Sequence, residues 1–245
     1  MDRTAQLNAV KRNLDNPNMR PKDAASLLIV DGSDGTPRVL IGRRHAKQKF
    51  VPNKYVFPGG RVEQADSRIA PDDELAGSEM AKLLHDMKGK ASPIRARALA
   101  LAAIRETFEE TGLLIGKQAS VAPASRSEAW RTFFEHGVIP QLSNLTFIAR
   151  AITPPRRPRR YDTRFFLVSA EQVVRRVGEG DGEFTELHWV TFEEARLFDL
   201  HAMTRTILDD LAERLDSSLK PRNDVPVPYY FSRNGLFLRE LISHS

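Results

Sequence analysis

An α/β fold, one domain with elaborations, is what the 245 residues predict. Three observations carry this. Apolar runs of strand length recur between residues 24 and 190. Helix-like stretches interleave with them. The clearest helix, residues 92–112, carries its own start and stop signals.

Each element follows from local chemistry. Residues 1–22 are polar and are expected to be peripheral. "AASLLIV" (24–30) and "PRVLIGR" (37–43) flank the turn-forming "DGSDGT", which reads as strand, turn, strand. "KFVPNKYVFPGGRVE" (49–63) reads as a loop, a short strand and a tight Gly-Gly bend. "PDDELAGSEMAKLLHDMKGK" (71–90) reads as a helix with Leu75, Leu83, Leu84 and Met87 as its apolar residues, weakened by Gly77. In "SPIRARALALAAIRETFEETG" (92–112), Ser92 offers an N-cap, Pro93 suits the first turn and Gly112 suits the stop. "SEAWRTFFEHG" (127–137) reads as a helix. "NLTFIARAI" (144–152) and "RFFLVSA" (164–170) read as strands joined through "TPPRRPRRYD". "EFTELHWV" (183–190) is a further strand, and Thr191 with Glu194 has capping-box spacing for the helix after it. A last helix spans about 202–215, and the tail, 219–245, is expected to pack on a domain covering 23–218.

Composition narrows the function. Cysteine is absent, which excludes disulfides, thiolate metal sites and cysteine nucleophiles, and suits a reducing cytosol. No apolar run of roughly 18 residues occurs, so no membrane partner is expected. The formal charge of +5 favours anionic ligands. The six histidines lack ligand spacing. Trp130 and Trp189 are expected in the core.

The stretch "RETFEETG" (105–112) asks for an explanation. On a helix turning about 100° per residue, Glu110 lies about 40° from Glu106 and Glu109 about 60° to its other side. Leu101, Ile104 and Phe108 lie opposite, so the helix can bury one side and present three carboxylates on the other. Arg105 precedes Glu109 by one turn and can tether it. Two readings stand on these residues alone: an oxygen-rich site for Mg²⁺ or Mn²⁺, and an acidic surface patch.

Upstream stands "YVFPGGRVEQAD" (55–66). Joined to "RETFEETGL", it resembles the Nudix box, G-x5-E-x7-R-E-U-x-E-E-x-G-U. Gly60 fits the first Gly, and Arg105, Glu106, Glu109, Glu110, Gly112 and Leu113 fit the second half. Two departures stand out. Asp66 replaces the first Glu of the box, and 38 residues separate it from Arg105 where the box has seven. With "FVPNKYVFPGG" and "RRYDTRFFLV", this interruption is similar to the insert-bearing branch of Nudix hydrolases that includes a peroxisomal coenzyme A diphosphatase. The final "SHS" is no peroxisomal signal, so a cytoplasmic enzyme is expected.

The resemblance implies an α/β/α sandwich with a mixed central sheet and a helical insert, 67–91, inside the box. It implies hydrolysis of a nucleoside diphosphate linked to another moiety, with coenzyme A or an acyl-CoA as a lead. Dinucleotides, ADP-ribose and nucleotide sugars stay open. The coenzyme A pattern R-x3-G-x3-FPGG is half met, with Lys49 and Asn53 at its first two positions. Mg²⁺, or Mn²⁺, would sit on Glu106, Glu109, Glu110 and the Gly60 carbonyl, with Arg105 beside them. Glu106 is the first choice of general base and Glu183 the alternative. Arg159 and Arg160 of the basic loop, with Arg44, are the expected phosphate-binding residues. The insert is expected to be an excursion replaceable by a short linker. The expected partner is a small nucleoside diphosphate derivative rather than nucleic acid, and a homodimer is left open. The competing function is a Nudix-like domain that binds a ligand or RNA without turnover.

Overall fold

The structure is a computed structural model and describes residues 3–10, 15–48, 51–121, 123–215 and 225–243. After a short helix α1 (Arg3–Ala9), β1 (Lys22–Asp31) and β2 (Arg38–Arg44) form the expected hairpin, with Val30 opposite Val39. The short strands β3 (Tyr55–Val56) and β4 (Gly59–Arg61) follow, and then α2 (Gly77–Leu84) and α3 (Pro93–Thr111). Next come β5 (Leu113–Ile115), β6 (Lys117–Gln118), α4 (Glu128–Glu135), β7 (Val138–Ile139), β8 (Thr146–Ile152) and β9 (Tyr161–Ser169). The chain continues through β10 (Val173–Arg176), β11 (Phe184–Thr191), α5 (Phe192–Ala195) and α6 (Ala202–Arg214) to the hairpin β12 (Val227–Arg233) and β13 (Leu236–Ile242).

A mixed sheet runs β11-β2-β1-β9-β8-β12-β13, with β1 parallel to β9 and β8 parallel to β12. Strand alternation divides its side chains between two cores. Leu27 and Ile29 of β1 face α2, α3 and α4, whereas Leu28 and Val30 face α1, α5 and α6. All four are at most 4% exposed, each contributing about 1.5–3 kcal/mol of burial. Covering both faces gives the α/β/α sandwich.

Most element signals hold locally. Ser92 Oγ accepts the Arg95 N–H at 3.2 Å, and Gly112 ends α3 with a left-handed φ of 71°. Thr191 and Glu194 form the full capping box. Three expectations need correction. The helix read over 71–90 is confined to Gly77–Leu84. Asp73 instead accepts the N–H groups of Leu142 and Ser143 at 2.6 and 3.0 Å, which holds residues 71–76 as a loop.

The insert also packs into the core rather than standing off as an excursion. Ile69, Leu75, Leu83 and Met87 belong to the core against α3. Glu79 of α2 is buried, pairs with Lys82 at 2.6 Å and accepts the Phe147 N–H at 2.6 Å, where the β8–β9 register slips. The insert thereby satisfies a backbone donor that the sheet does not. Finally, Trp189 is 40% exposed on β11, because that strand lies at the sheet edge, while Trp130 is fully buried. The tail, read only as packed, adds two strands to the sheet.

Candidate active site

The last two turns of α3 lie against β4. Gly60 permits this approach, and Gly59 permits the pairing of β4 with β1. A Cβ on Gly60 would stand 2.4 Å from Glu106 Oε2, and one on Gly59 would meet the Ala25 carbonyl at 2.4 Å. The Gly59 N–H donates to Glu110 Oε2 at 2.8 Å. The carboxylate face of α3 is therefore only partly open to solvent: Glu110 is 2% exposed under β4, while Glu106 and Glu109 stay half-buried. A simple two-faced helix, as its sequence suggests, becomes one packed on nearly all sides.

Arg105 is the hub of the cluster. Its Nε and Nη2 reach Asp66 Oδ1 and Oδ2 at 2.9 and 3.1 Å, and Nη2 also donates to the Arg61 carbonyl at 2.9 Å. Nη1 donates to Glu106 Oε1 at 3.0 Å and to Glu109 Oε2 at 2.5 Å, making the expected one-turn tether. Asp66 is fully buried and also accepts from Trp130 Nε1 at 2.8 Å and from the Glu63 N–H at 2.7 Å. Every donor around Asp66 points inward, so it positions Arg105 rather than facing a ligand.

The charges are poorly compensated. Burial, with Glu109 and Asp66 nearby and Arg105 opposing, pushes the Glu106 carboxyl up to about 7. Glu109 is raised by burial, against the pull of Arg105. Burial, then Glu183 and Glu106, hold Glu110 well above the ordinary range, against the Gly59 N–H and Arg44. Among the described residues no three acidic or histidine side chains converge as a ready cation site, since Arg105 bridges Glu106 and Glu109. The three carboxylates, Glu110 buried and Glu106 and Glu109 half-buried, offer the oxygen ligands that a hard divalent cation takes.

The remaining expected residues divide. Arg44 Nη2 pairs with Glu183 Oε1 at 2.5 Å, and both lie within electrostatic reach of Glu110. Arg160 is drawn elsewhere: it donates to the Thr153 carbonyl, Asn18 Oδ1 and the Met19 carbonyl at 3.0, 2.9 and 2.5 Å. Arg159 is exposed on the same loop. Arg164, part of the same basic run, is buried against Asp162 and Asp23. Burial first, and then the charges of Arg157, Lys54 and Arg44, push His201 down to about 4. Asn53 sits exposed with φ 61°, and Lys49 lies outside the described residues.

Sequence reasoning missed two features. A second polar cluster flanks the cations, with Glu186 accepting from Tyr55, Arg43 and His188 at 2.7, 2.8 and 3.1 Å. Alternating residues on β11 were the available signal. The other is a cleft of about 720 Å³ beside Glu109, between α3, α4 and the loop 177–181. Its walls meet only in space, and no motif marks it.

Comparison with known proteins shows the family and the fold. A family model described as the NUDT19 Nudix domain matches residues 21–203. The acyl-coenzyme A diphosphatase NUDT19 of Gallus gallus is 27% identical, with 74% of this chain and 64% of the relative covered. The chain thus spans less than two thirds of that relative's length. A NUDIX hydrolase crystal structure from Alicyclobacillus acidocaldarius superposes with a TM-score of 0.57 at 23% identity, over 78% of this chain and 90% of that one. That likeness is one of fold. With the family model covering well over half of its residues, the chain belongs to the Nudix hydrolases, in the group of the NUDT19 Nudix domain.

Proposed function

We propose that the chain is a divalent-metal-dependent diphosphatase that cleaves a nucleoside diphosphate linked to another moiety. One observation carries the reading: three carboxylates share one face of α3, held by Arg105 and a Gly-Gly strand, with the Arg44–Glu183 pair within electrostatic reach of Glu110. A cluster that repels itself in this way has a use when a cation and a polyanion meet there. Glu106, Glu109 and Glu110 would hold Mg²⁺ or Mn²⁺, with the Gly60 backbone adjacent. When bound, the ion neutralises diphosphate charge and lowers the pKa of water. Arg105 would stay anchored on Asp66 and Arg61 through Nε and Nη2 with such an ion in place.

The protein's own groups do the rest. Arg44, Lys54 and Arg157 supply positive charge for the substrate phosphates. A carboxylate takes the proton of the attacking water. Glu106, with a carboxyl near neutrality, suits that task, and Glu183 beside Arg44 is the alternative. Attack at phosphorus leaves two phosphate-bearing products. The printed name of the chicken relative supports coenzyme A or an acyl-CoA as the first substrate to test. The test is a hydrolysis screen with Mg²⁺ and Mn²⁺ across coenzyme A, NADH, ADP-ribose and diadenosine polyphosphates. Two phosphate-bearing products, lost in Glu106→Gln, are expected. No turnover with either metal across the set would sink the reading.

A further inference from the structure

Trp130 belongs to the Arg105 network but lies outside the box motif. It stands on α4, 64 positions after Asp66, and is fully buried. Its ring packs on Phe133 and Phe134 with centroids 5.4 and 5.6 Å away, and Phe133 meets Phe108 of α3 edge-on at 5.4 Å. These contacts pack α4 on α3 without calling on the indole N–H. That group has a partner of its own: it donates to Asp66 Oδ1 at 2.8 Å.

The four bonds on Asp66 are divided evenly. Oδ1 takes Arg105 Nε at 2.9 Å and Trp130 Nε1, while Oδ2 takes Arg105 Nη2 at 3.1 Å and the Glu63 N–H at 2.7 Å. Each oxygen thus carries one arginine donor and one donor from elsewhere. A bidentate pair holds its arginine only as well as the carboxylate plane is itself held. The Glu63 N–H, three residues away, steadies one oxygen from within the local turn. Trp130 steadies the other from a different helix. On its far side Arg105 touches Glu106 and Glu109 through Nη1 at 3.0 and 2.5 Å. A swing of the guanidinium about Asp66 is therefore felt at both carboxylates.

We propose that Trp130 is a positioning residue. By fixing Asp66 Oδ1 it sets the guanidinium of Arg105, and through Nη1 it sets Glu106 and Glu109, the side chains that would hold the divalent cation. Partners that orient metal ligands from outside commonly change affinity by roughly 10–100-fold, and Trp130, acting through two intermediates, belongs at the low end. This inference rests on the diphosphatase reading and extends its site to a helix that the box does not contain.

The test measures Mn²⁺ binding by electron paramagnetic resonance, without substrate, in wild type, Trp130→Phe, Leu211→Ala and Glu109→Gln. Trp130→Phe keeps an aromatic ring and removes the N–H. Leu211 is buried in the other core, so its truncation lowers stability without touching the network. Mn²⁺ affinity should fall about tenfold in Trp130→Phe and stay at the wild-type value in Leu211→Ala. At saturating Mn²⁺, KM for the diphosphate should stay within about twofold, while kcat falls at limiting metal. A second measurement needs only the wild type: in ¹⁵N-labelled protein the Trp130 indole N–H resonance should shift when Mg²⁺ saturates the site. Equal Mn²⁺ affinity in Trp130→Phe, an equal loss in Leu211→Ala, or an unmoved indole resonance overturns the positioning role and leaves the diphosphatase reading standing. Wild type that binds no Mn²⁺, or binding indifferent to Glu109→Gln, overturns the diphosphatase reading and this inference with it.

Discussion

Asp66→Asn removes one charge from the buried centre of the site with almost no change of shape. Asp66 accepts four hydrogen bonds, two from Arg105 and one each from Trp130 and the Glu63 N–H, at 2.7–3.1 Å. An asparagine can still accept at one oxygen. Its amide must then face two donors, either Arg105 Nη2 with the Glu63 N–H or Arg105 Nε with Trp130 Nε1. Arg105 is also left with a buried charge facing only Glu106 and Glu109. Breaking one partner of a buried pair costs about 3–5 kcal/mol. For a domain of this size that corresponds to a Tm lower by roughly 10 °C. Urea denaturation and calorimetry measure both quantities. Activity should also fall, because Arg105, released from Asp66, competes more strongly with the cation for Glu106 and Glu109. Trp130→Phe removes only one of the four bonds and should cost about 1–3 kcal/mol. A loss of stability in Asp66→Asn of less than about 1 kcal/mol would refute the view that Asp66 anchors Arg105.

Four further outcomes follow from the same geometry. Glu106 is raised from 4.5 to about 7, so the folded protein keeps a proton that the unfolded chain has lost. Metal-free stability should therefore fall as pH rises from about 5 to 7, by roughly 3 kcal/mol from this group, and a flat or rising profile in chelator would contradict it. Glu106→Gln should flatten that slope, and Glu109→Gln should lower turnover sharply at limiting Mg²⁺ with little loss of fold. Replacing residues 67–91 by a short linker should abolish cooperative unfolding, since it removes four buried side chains and the acceptor for Phe147; Leu83→Ala alone should cost about 2–5 kcal/mol by denaturation. Arg157→Ala should raise KM at low salt, whereas Arg159→Ala/Arg160→Ala should leave KM within about twofold, because Arg160 is occupied by Asn18, Met19 and Thr153; the reverse pattern would place the loop wrongly.

Local chemistry was legible in the sequence. Ser92, Pro93 and Gly112 bound α3, the Thr191 capping box starts α5, and the apolar runs of β1, β2, β8 and β9 mark the sheet. These signals act within a few residues, so no tertiary contact is needed to interpret them. The spacing of Arg105, Glu106, Glu109 and Glu110 likewise defines a carboxylate face before any neighbour is known. Partners distant in sequence were not legible. Asp66 reaches Arg105 across 39 positions and Trp130 across 64, and nothing local to Asp66 says that it would point inward. The same applies to the arginines of the basic loop. Their charges are plain in "PPRRPRRYD", but only packing against Asn18 and Met19 draws Arg160 away. The insert reads as polar and expendable because half of its residues are charged or turn-forming, yet its few apolar side chains complete the core over α3. Composition and periodicity set which groups the chain owns. Burial and the meeting of distant strands set which of them face one another, and at this site that decides which charges are compensated.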